Sequence, residues 1–265
     1  MEESMSAKKR SYTKSTKSRR NEEIEFLKEA LYANGHALEE GPKKKKWSTQ
    51  DLKNIRPKTD AQEDMFQAWF SGKHVCASGS AGTGKTFLAF YLALNEYLQQ
   101  RTQRIIVVRS TVATRDVGFL PGTLEEKTAQ YELPYHDITW ELLGKSSSYQ
   151  DLKDAKVIEF MTTSFIRGLT WDNAVVIIDE TQNMTFHEIN SIMTRIGENT
   201  RIILTGDTKQ TDLNEGKKHL GLEGMSQALR VFDHMDSFAS VHFTKHDIVR
   251  SEFVKSWIVA VEHIT

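Results

Sequence analysis

Gly79-Ser80-Ala81-Gly82-Thr83-Gly84-Lys85-Thr86 fits the pattern G-x-x-x-x-G-K-[ST] at every position. Glycines at these places let the backbone curl so that successive N–H groups point inward, which makes a cradle for phosphate oxygens. The whole run from Gly79 to Thr86 is therefore a candidate nucleotide site. Lys85 can reach the β- and γ-phosphates, and the Thr86 hydroxyl can ligate a magnesium ion. A helix that opens at this point adds partial positive charge.

Asp179-Glu180 ends the apolar run Val175-Val176-Ile177-Ile178, a Walker B arrangement. In an open parallel sheet, ligands sit at the carboxyl ends of the strands. Asp179 is thus expected to help Thr86 hold the metal, and Glu180 to act as general base on the attacking water. Gln182 and Asn183 extend the pair to D-E-x-Q-N, and Gln182 is expected to sense the γ-phosphate or the water. Leu204-Thr205-Gly206-Asp207-Thr208-Lys209-Gln210 offers a second amide, Gln210, near the terminal phosphate. Gln62 can bond both N6 and N7 of adenine through its amide. An N-K-x-D guanine signature is absent from the sequence. Arg250, in Asp247-Ile248-Val249-Arg250, can stabilise charge on a transferring phosphoryl group, with a structural ion pair to Asp247 or Glu252 as the alternative.

These residues need a scaffold that brings strand ends together. Strands are expected over 74–77, 104–108, 157–161, 174–178, 201–204 and 240–243, with helices over 87–98, 185–196 and 251–263. Thr185 and Glu188 are spaced as a capping box. Continuous apolar strands alternating with helices indicate an α/β fold, a parallel sheet covered by helices on both faces. Residues 119–152 show no clear period and read as an insertion or long loop over the sheet's edge.

The chain has 265 residues and a formal net charge of -1, but residues 1–20 carry seven lysines and arginines against two glutamates. A second basic run, Lys43 to Lys46, follows Gly41-Pro42. Residues 1–50 are expected to form a basic, largely disordered extension with a short helix over 22–33, and 51–265 the folded domain. Basic runs of this kind suit nucleic-acid phosphates, with a solvated tail as the alternative. The absence of any run of 18 apolar residues argues against a membrane span, and no apolar stretch behind the N-terminal charges suggests a secretory signal. Cys76, the single cysteine, reads as a packed core residue and favours a reducing, cytoplasmic setting.

In order and spacing these motifs resemble the PhoH family of ATPases, and also the first RecA-like half of superfamily 1 helicases. Gly118-Phe119-Leu120-Pro121-Gly122 followed by Glu125-Glu126-Lys127 is similar to a stretch of PhoH proteins that general helicases lack. Ile166-Arg167-Gly168 and Thr194-Arg195-Ile196-Gly197 resemble two further elements of that family. The chain departs from the pattern at Leu169-Thr170 and at Ser110, where a proline is usual, which suggests a divergent, bacteriophage-like branch. The resemblance implies a single RecA-like domain, ATP and Mg2+ as ligands, and a homo-oligomer in the form of a hexameric ring. In such a ring an arginine acts in trans, Arg250 first and then Arg195 or Arg167. It also implies an ATP-driven motor on single-stranded RNA or DNA. An ATP-controlled switch acting on a protein partner is the alternative, and a small-molecule kinase lacks an evident acceptor site.

Overall fold

The computed structural model describes residues 47–110, 124–166, 168–207 and 215–264. Residues 1–46 of the basic extension, the expected helix over 22–33 within them, the 118–122 stretch, Arg167 and Gln210 lie outside the described residues, while Trp47 at the end of the extension is buried in the core. Along the chain run α1 (Asp60–Phe70), β1 (His74–Gly79), α2 (Lys85–Leu98), β2 (Arg104–Arg109), α3 (Leu124–Leu143), α4 (Ser148–Asp154) and β3 (Ile158–Thr162). There follow β4 (Ala174–Asp179), α5 (Phe186–Met193), β5 (Arg201–Gly206), α6 (Glu215–Phe232), β6 (Phe238–Phe243) and α7 (Glu252–Ile264).

The six strands form one sheet in the order β3-β2-β4-β5-β1-β6, and every pairing is parallel. Side chains alternate across it with period two. Val75, Ala77, Ile105, Val107, Val175, Ile177 and Ile203 face one core with Trp47, α1, α2 and the buried faces of α3 and α4. Cys76, Ile106, Val108, Val176, Ile178, Ile202 and Leu204 face the other, with α5 and α6. Both faces of the central strands are covered, so β2, β4 and β5 read as apolar runs. Cys76 is packed as expected, and burial, helped by the Asp233 charge, pushes its thiol up to about 12.

The capping box forms as expected. Thr185 Oγ1 accepts from the Glu188 N–H at 3.3 Å, and Glu188 Oε2 accepts from the Thr185 N–H at 2.8 Å. The reading of residues 119–152 as a loop is corrected: α3 and α4 occupy most of it. Among the described side chains of α3 the buried ones are Glu132, Tyr135, Thr139, Leu142 and Leu143, the first four spaced three, four and three apart. That is helical period, but two of the four are polar, so hydropathy alone does not register it. Glu132 accepts from Tyr149 Oη (2.7 Å) and Lys153 Nζ (2.7 Å) of α4, and Thr139 donates to the Tyr135 carbonyl at 2.8 Å. Pro134 faces solvent on the opposite side of the helix. α1 and α6 are further helices that the apolar pattern does not single out.

A buried acid ties the amino-terminal ends of the strands together. Glu96 of α2 accepts from Trp69 Nε1 at 3.2 Å and pairs with Arg201 (2.9 Å) and Arg101 (3.1 Å). The Arg201 guanidinium lies 3.6 Å from the centre of the Trp69 ring and donates to the Trp69 carbonyl at 2.7 Å. Removing the carboxylate strands a half-buried cation. Glu96→Ala is therefore expected to lower unfolding free energy by roughly 3 kcal/mol in chemical denaturation, with nucleotide affinity unchanged because the network lies at the far end of the sheet. A loss below about 0.5 kcal/mol would class it with exposed ion pairs.

Candidate functional site

The candidate site is built at the carboxyl ends of β1, β4 and β5. β5 lies between the other two, so the phosphate loop leaving β1 faces the acidic pair leaving β4 across one strand. Gly79 ends β1 at φ +124°, and a Cβ there would lie 1.9 Å from the Phe243 carbonyl oxygen of β6. No other residue allows the loop to leave the sheet so close to its neighbour. Gly84, at φ +85°, is the N-cap of α2, so the loop turns into the helix without a side chain in the way.

Two pieces hold the loop from outside. Gln62 is buried, accepts from the Lys58 N–H at 2.9 Å and donates to the Thr83 carbonyl at 3.0 Å. The amide expected to read adenine thus also ties α1 to the loop. The Val249 N–H donates to the Gly82 carbonyl at 3.1 Å. Arg250 starts along its own loop, its Cγ 3.2 Å from where a Gly82 Cβ would stand. Asp247 caps the turn beneath. Burial raises its carboxyl, but hydrogen bonds from Thr244, Thr59 and the Ala61 backbone outweigh this and hold it below the usual range.

Lys85 Nζ donates to the carbonyls of Gly79 (2.9 Å) and Ser80 (2.7 Å) and to Thr83 Oγ1 (3.3 Å). Burial lowers its ammonium pKa, while Asp207, Glu180 and Asp179 oppose that shift. Asp179 is buried and accepts three hydroxyl bonds. Thr86 Oγ1 (2.8 Å) and Thr205 Oγ1 (2.6 Å) donate to its Oδ1, and Tyr135 Oη (2.8 Å) donates to its Oδ2. Thr86 and Asp179, expected from the sequence to share a metal, are therefore in direct contact.

Glu180 sits at φ 53°, ψ 45°, a left-handed conformation for a residue with a side chain. Such backbone costs about 1 kcal/mol or more and gathers at functional sites. It breaks the line of β4 and starts a tight 3-10 turn, Thr181–Asn183. Gln182 donates to Glu180 Oε2 and accepts from the Asp207 N–H at 2.9 Å. It therefore links the Glu180 carboxylate to the first residue after β5. Arg195 Nε donates to the Ile166 carbonyl at 2.9 Å, which ties the loop before β4 to the end of α5.

Three residues near the acids escape the sequence reading. Arg109 ends β2 directly opposite Asp179 in register, a position that the strand-end rule could have flagged. Thr205 precedes the Gly206-Asp207 turn. Tyr135 comes from α3 and left no signal. Burial lowers the pKa of Arg109, but Tyr135, Asp179 and Glu180 outweigh this and raise it overall. Among the described residues, no group of three His, Cys, Asp or Glu could hold a metal alone. The hard oxygens of Thr86 and Asp179 fit magnesium, which commonly takes few protein ligands and the rest from phosphates and water.

The sequence model of the PhoH family, described as PhoH-like protein, matches residues 54–262. Protein PhoH of Escherichia coli (strain K12) is 36% identical over 205 residues, covering 77% of this chain and 57% of that protein. The PhoH-like protein of Bacillus subtilis (strain 168) is 34% identical over 211 residues, covering 79% and 65%. The chain thus spans less than two thirds of the length of these relatives. Among solved structures, the large terminase of a thermophilic bacteriophage in complex with ADP aligns over 76% of this chain and 49% of its own, with 14% identity and a TM-score of 0.44. The Sulfolobus solfataricus SWI2/SNF2 ATPase core in complex with dsDNA aligns over 74% and 46%, with 12% identity and a TM-score of 0.40. Because the family match takes in every strand of the sheet and both sides of the crevice between loop and acids, the chain belongs to the PhoH family.

Proposed function

We propose that this chain hydrolyses ATP with the help of Mg2+. The observation that carries this reading is the 2.8 Å bond from the Thr86 hydroxyl to Asp179 Oδ1, with Glu180 one residue on. That bond directs the Thr86 proton at the carboxylate and leaves the oxygen's lone pairs for a metal. Thr86 and Asp179 would hold a magnesium ion, which would supply charge neutralisation at the phosphates. The loop N–H groups hold the phosphates, and the Lys85 ammonium turns from the loop carbonyls to the β- and γ-oxygens. Glu180, oriented by Gln182, accepts a proton from the attacking water. The new P–O bond forms as the bond to the bridging oxygen breaks, leaving ADP and phosphate. Gln62 keeps a second N–H and a second lone pair for adenine. Gln210 remains a proposed γ-phosphate contact, and the closeness of Arg250 to Gly82 favours action within its own chain over the trans role expected for it.

We also propose that turnover is coupled to single-stranded RNA or DNA, on the strength of the lysines and arginines in residues 1–46. For assembly, two exposed apolar stripes support a head-to-tail contact with a second copy. Leu133 and Trp140 are exposed on α3, and Phe253 and Trp257 are exposed on α7. Two different stripes on one chain can satisfy each other in a heterologous contact, which can close into a hexamer.

Lys85→Ala is expected to abolish both nucleotide binding and turnover, whereas Glu180→Gln keeps binding and loses about 100-fold or more in turnover. Equal loss of binding in both variants, measured by titration with a fluorescent ATP analogue, would refute this division of roles. Single-stranded RNA or DNA should stimulate the ATPase, and its affinity should fall as salt rises; no stimulation in a salt series would favour the protein-partner switch. Trp140→Arg and Trp257→Arg are each expected to leave monomers in sedimentation, while their mixture gives dimers and nothing larger. Wild-type assembly by either single variant would rule out this contact.

A further inference from the structure

We propose that Tyr135 is a positioning residue for the metal site: its phenol fixes the plane of the Asp179 carboxylate and so aims the Thr86 hydroxyl. The proposal rests on the reading of Thr86 and Asp179 as metal-holding groups. Its ground is the division of labour on Asp179. Oδ1 receives both threonine hydroxyls and Oδ2 receives the phenol at 2.8 Å. Two donors on one oxygen restrain the carboxylate from one side only; a donor on the other oxygen restrains it from both. If the carboxylate tips, the Thr86 proton follows it, and the Thr86 lone pairs no longer point at a fixed spot.

Tyr135 is equipped for this part. It is fully buried, so water cannot replace its bond to Asp179. Asp179 Oδ2 is an acceptor 2.8 Å away, so the phenol hydroxyl is the donor in this bond. Arg109 hydrogen-bonds the same phenol, and its charge draws electron density from the phenol oxygen, which strengthens the hydrogen bond donated to Asp179. The ring stacks on Phe90 of α2 with centres 5.0 Å apart, and α2 is the helix that starts at Lys85. One turn earlier on α3, Glu132 is clamped by Tyr149 and Lys153 of α4, so the helix that presents the phenol is itself anchored.

The effect of Tyr135 should therefore appear in the coupling between metal and nucleotide. The experiment is titration of the full chain with fluorescent ADP, once with Mg2+ and once with EDTA, for the parent, Tyr135→Phe and Tyr135→His. Phe keeps the ring stack and removes only the donor; His restores an N–H donor on a ring. Residues that orient metal ligands typically contribute about 10- to 100-fold, so Tyr135→Phe is expected to lose about tenfold of the Mg2+-dependent tightening, with affinity in EDTA within about twofold of the parent. Partial recovery in Tyr135→His supports the donor role. Undiminished tightening in Tyr135→Phe overturns the proposal, and so does an equal loss in Mg2+ and EDTA, which marks a structural role. Failure of the parent to bind ADP overturns both the proposal and the function on which it rests.

Discussion

The carboxylate of Asp179 is removed from water and depends on three hydroxyl groups for its solvation. Each comes from a different part of the chain: Thr86 from the start of α2, Thr205 from β5 and Tyr135 from α3. A buried ionised group without such partners is expensive, by several kcal/mol even after relaxation. The phosphate loop, the central strands and the α3 helix are thus held in register by one negative charge. The same charge suits the proposed magnesium, so one arrangement serves both the folded chain and the proposed chemistry.

The sheet order makes this convergence possible. With β5 between β1 and β4, the loop and the acidic pair are separated by one strand width, and Thr205 of the intervening strand reaches Asp179. Parallel pairing puts all these strand ends on the same side. At the opposite ends, Glu96 with Arg201, Arg101 and Trp69 forms a closed polar cluster between α1, α2 and β5. The two charged clusters thus have separate positions: one carries the candidate chemistry and the other holds the scaffold.

Glu180 and Gln182 show how local geometry sharpens a motif. A glutamate following a strand would ordinarily continue its alternation. The left-handed turn at Glu180 removes it from the strand, and Gln182 then holds both the carboxylate and the Asp207 backbone. The amide expected to sense phosphate or water also braces the second and third motifs. Arg250 is a similar case. Its place beside Gly82 comes from the Val249–Gly82 backbone bond and from the cap that Asp247 provides, neither of which is visible in the motif.

Strand positions, the α2 and α5 helices and the phosphate-loop motif were legible because each rests on local signals: apolar runs of strand length, a capping box, and glycines where a loop must turn. The pairing of Thr86 with Asp179 was inferable from the rule that strand ends gather ligands. α3 was not legible, because its buried stripe includes Glu132 and Thr139, whose burial makes sense only with Tyr149, Lys153 and the Tyr135 carbonyl in place. Tyr135 was invisible for the same reason, and its partner Asp179 lies 44 residues further along the chain. Sequence by itself marked which residues are the candidates for phosphate and metal chemistry, since those depend on residue type at short spacing. Tertiary structure alone decided which side chains hold them in position, since those bonds span long loops and stabilise only once the intervening chain has packed.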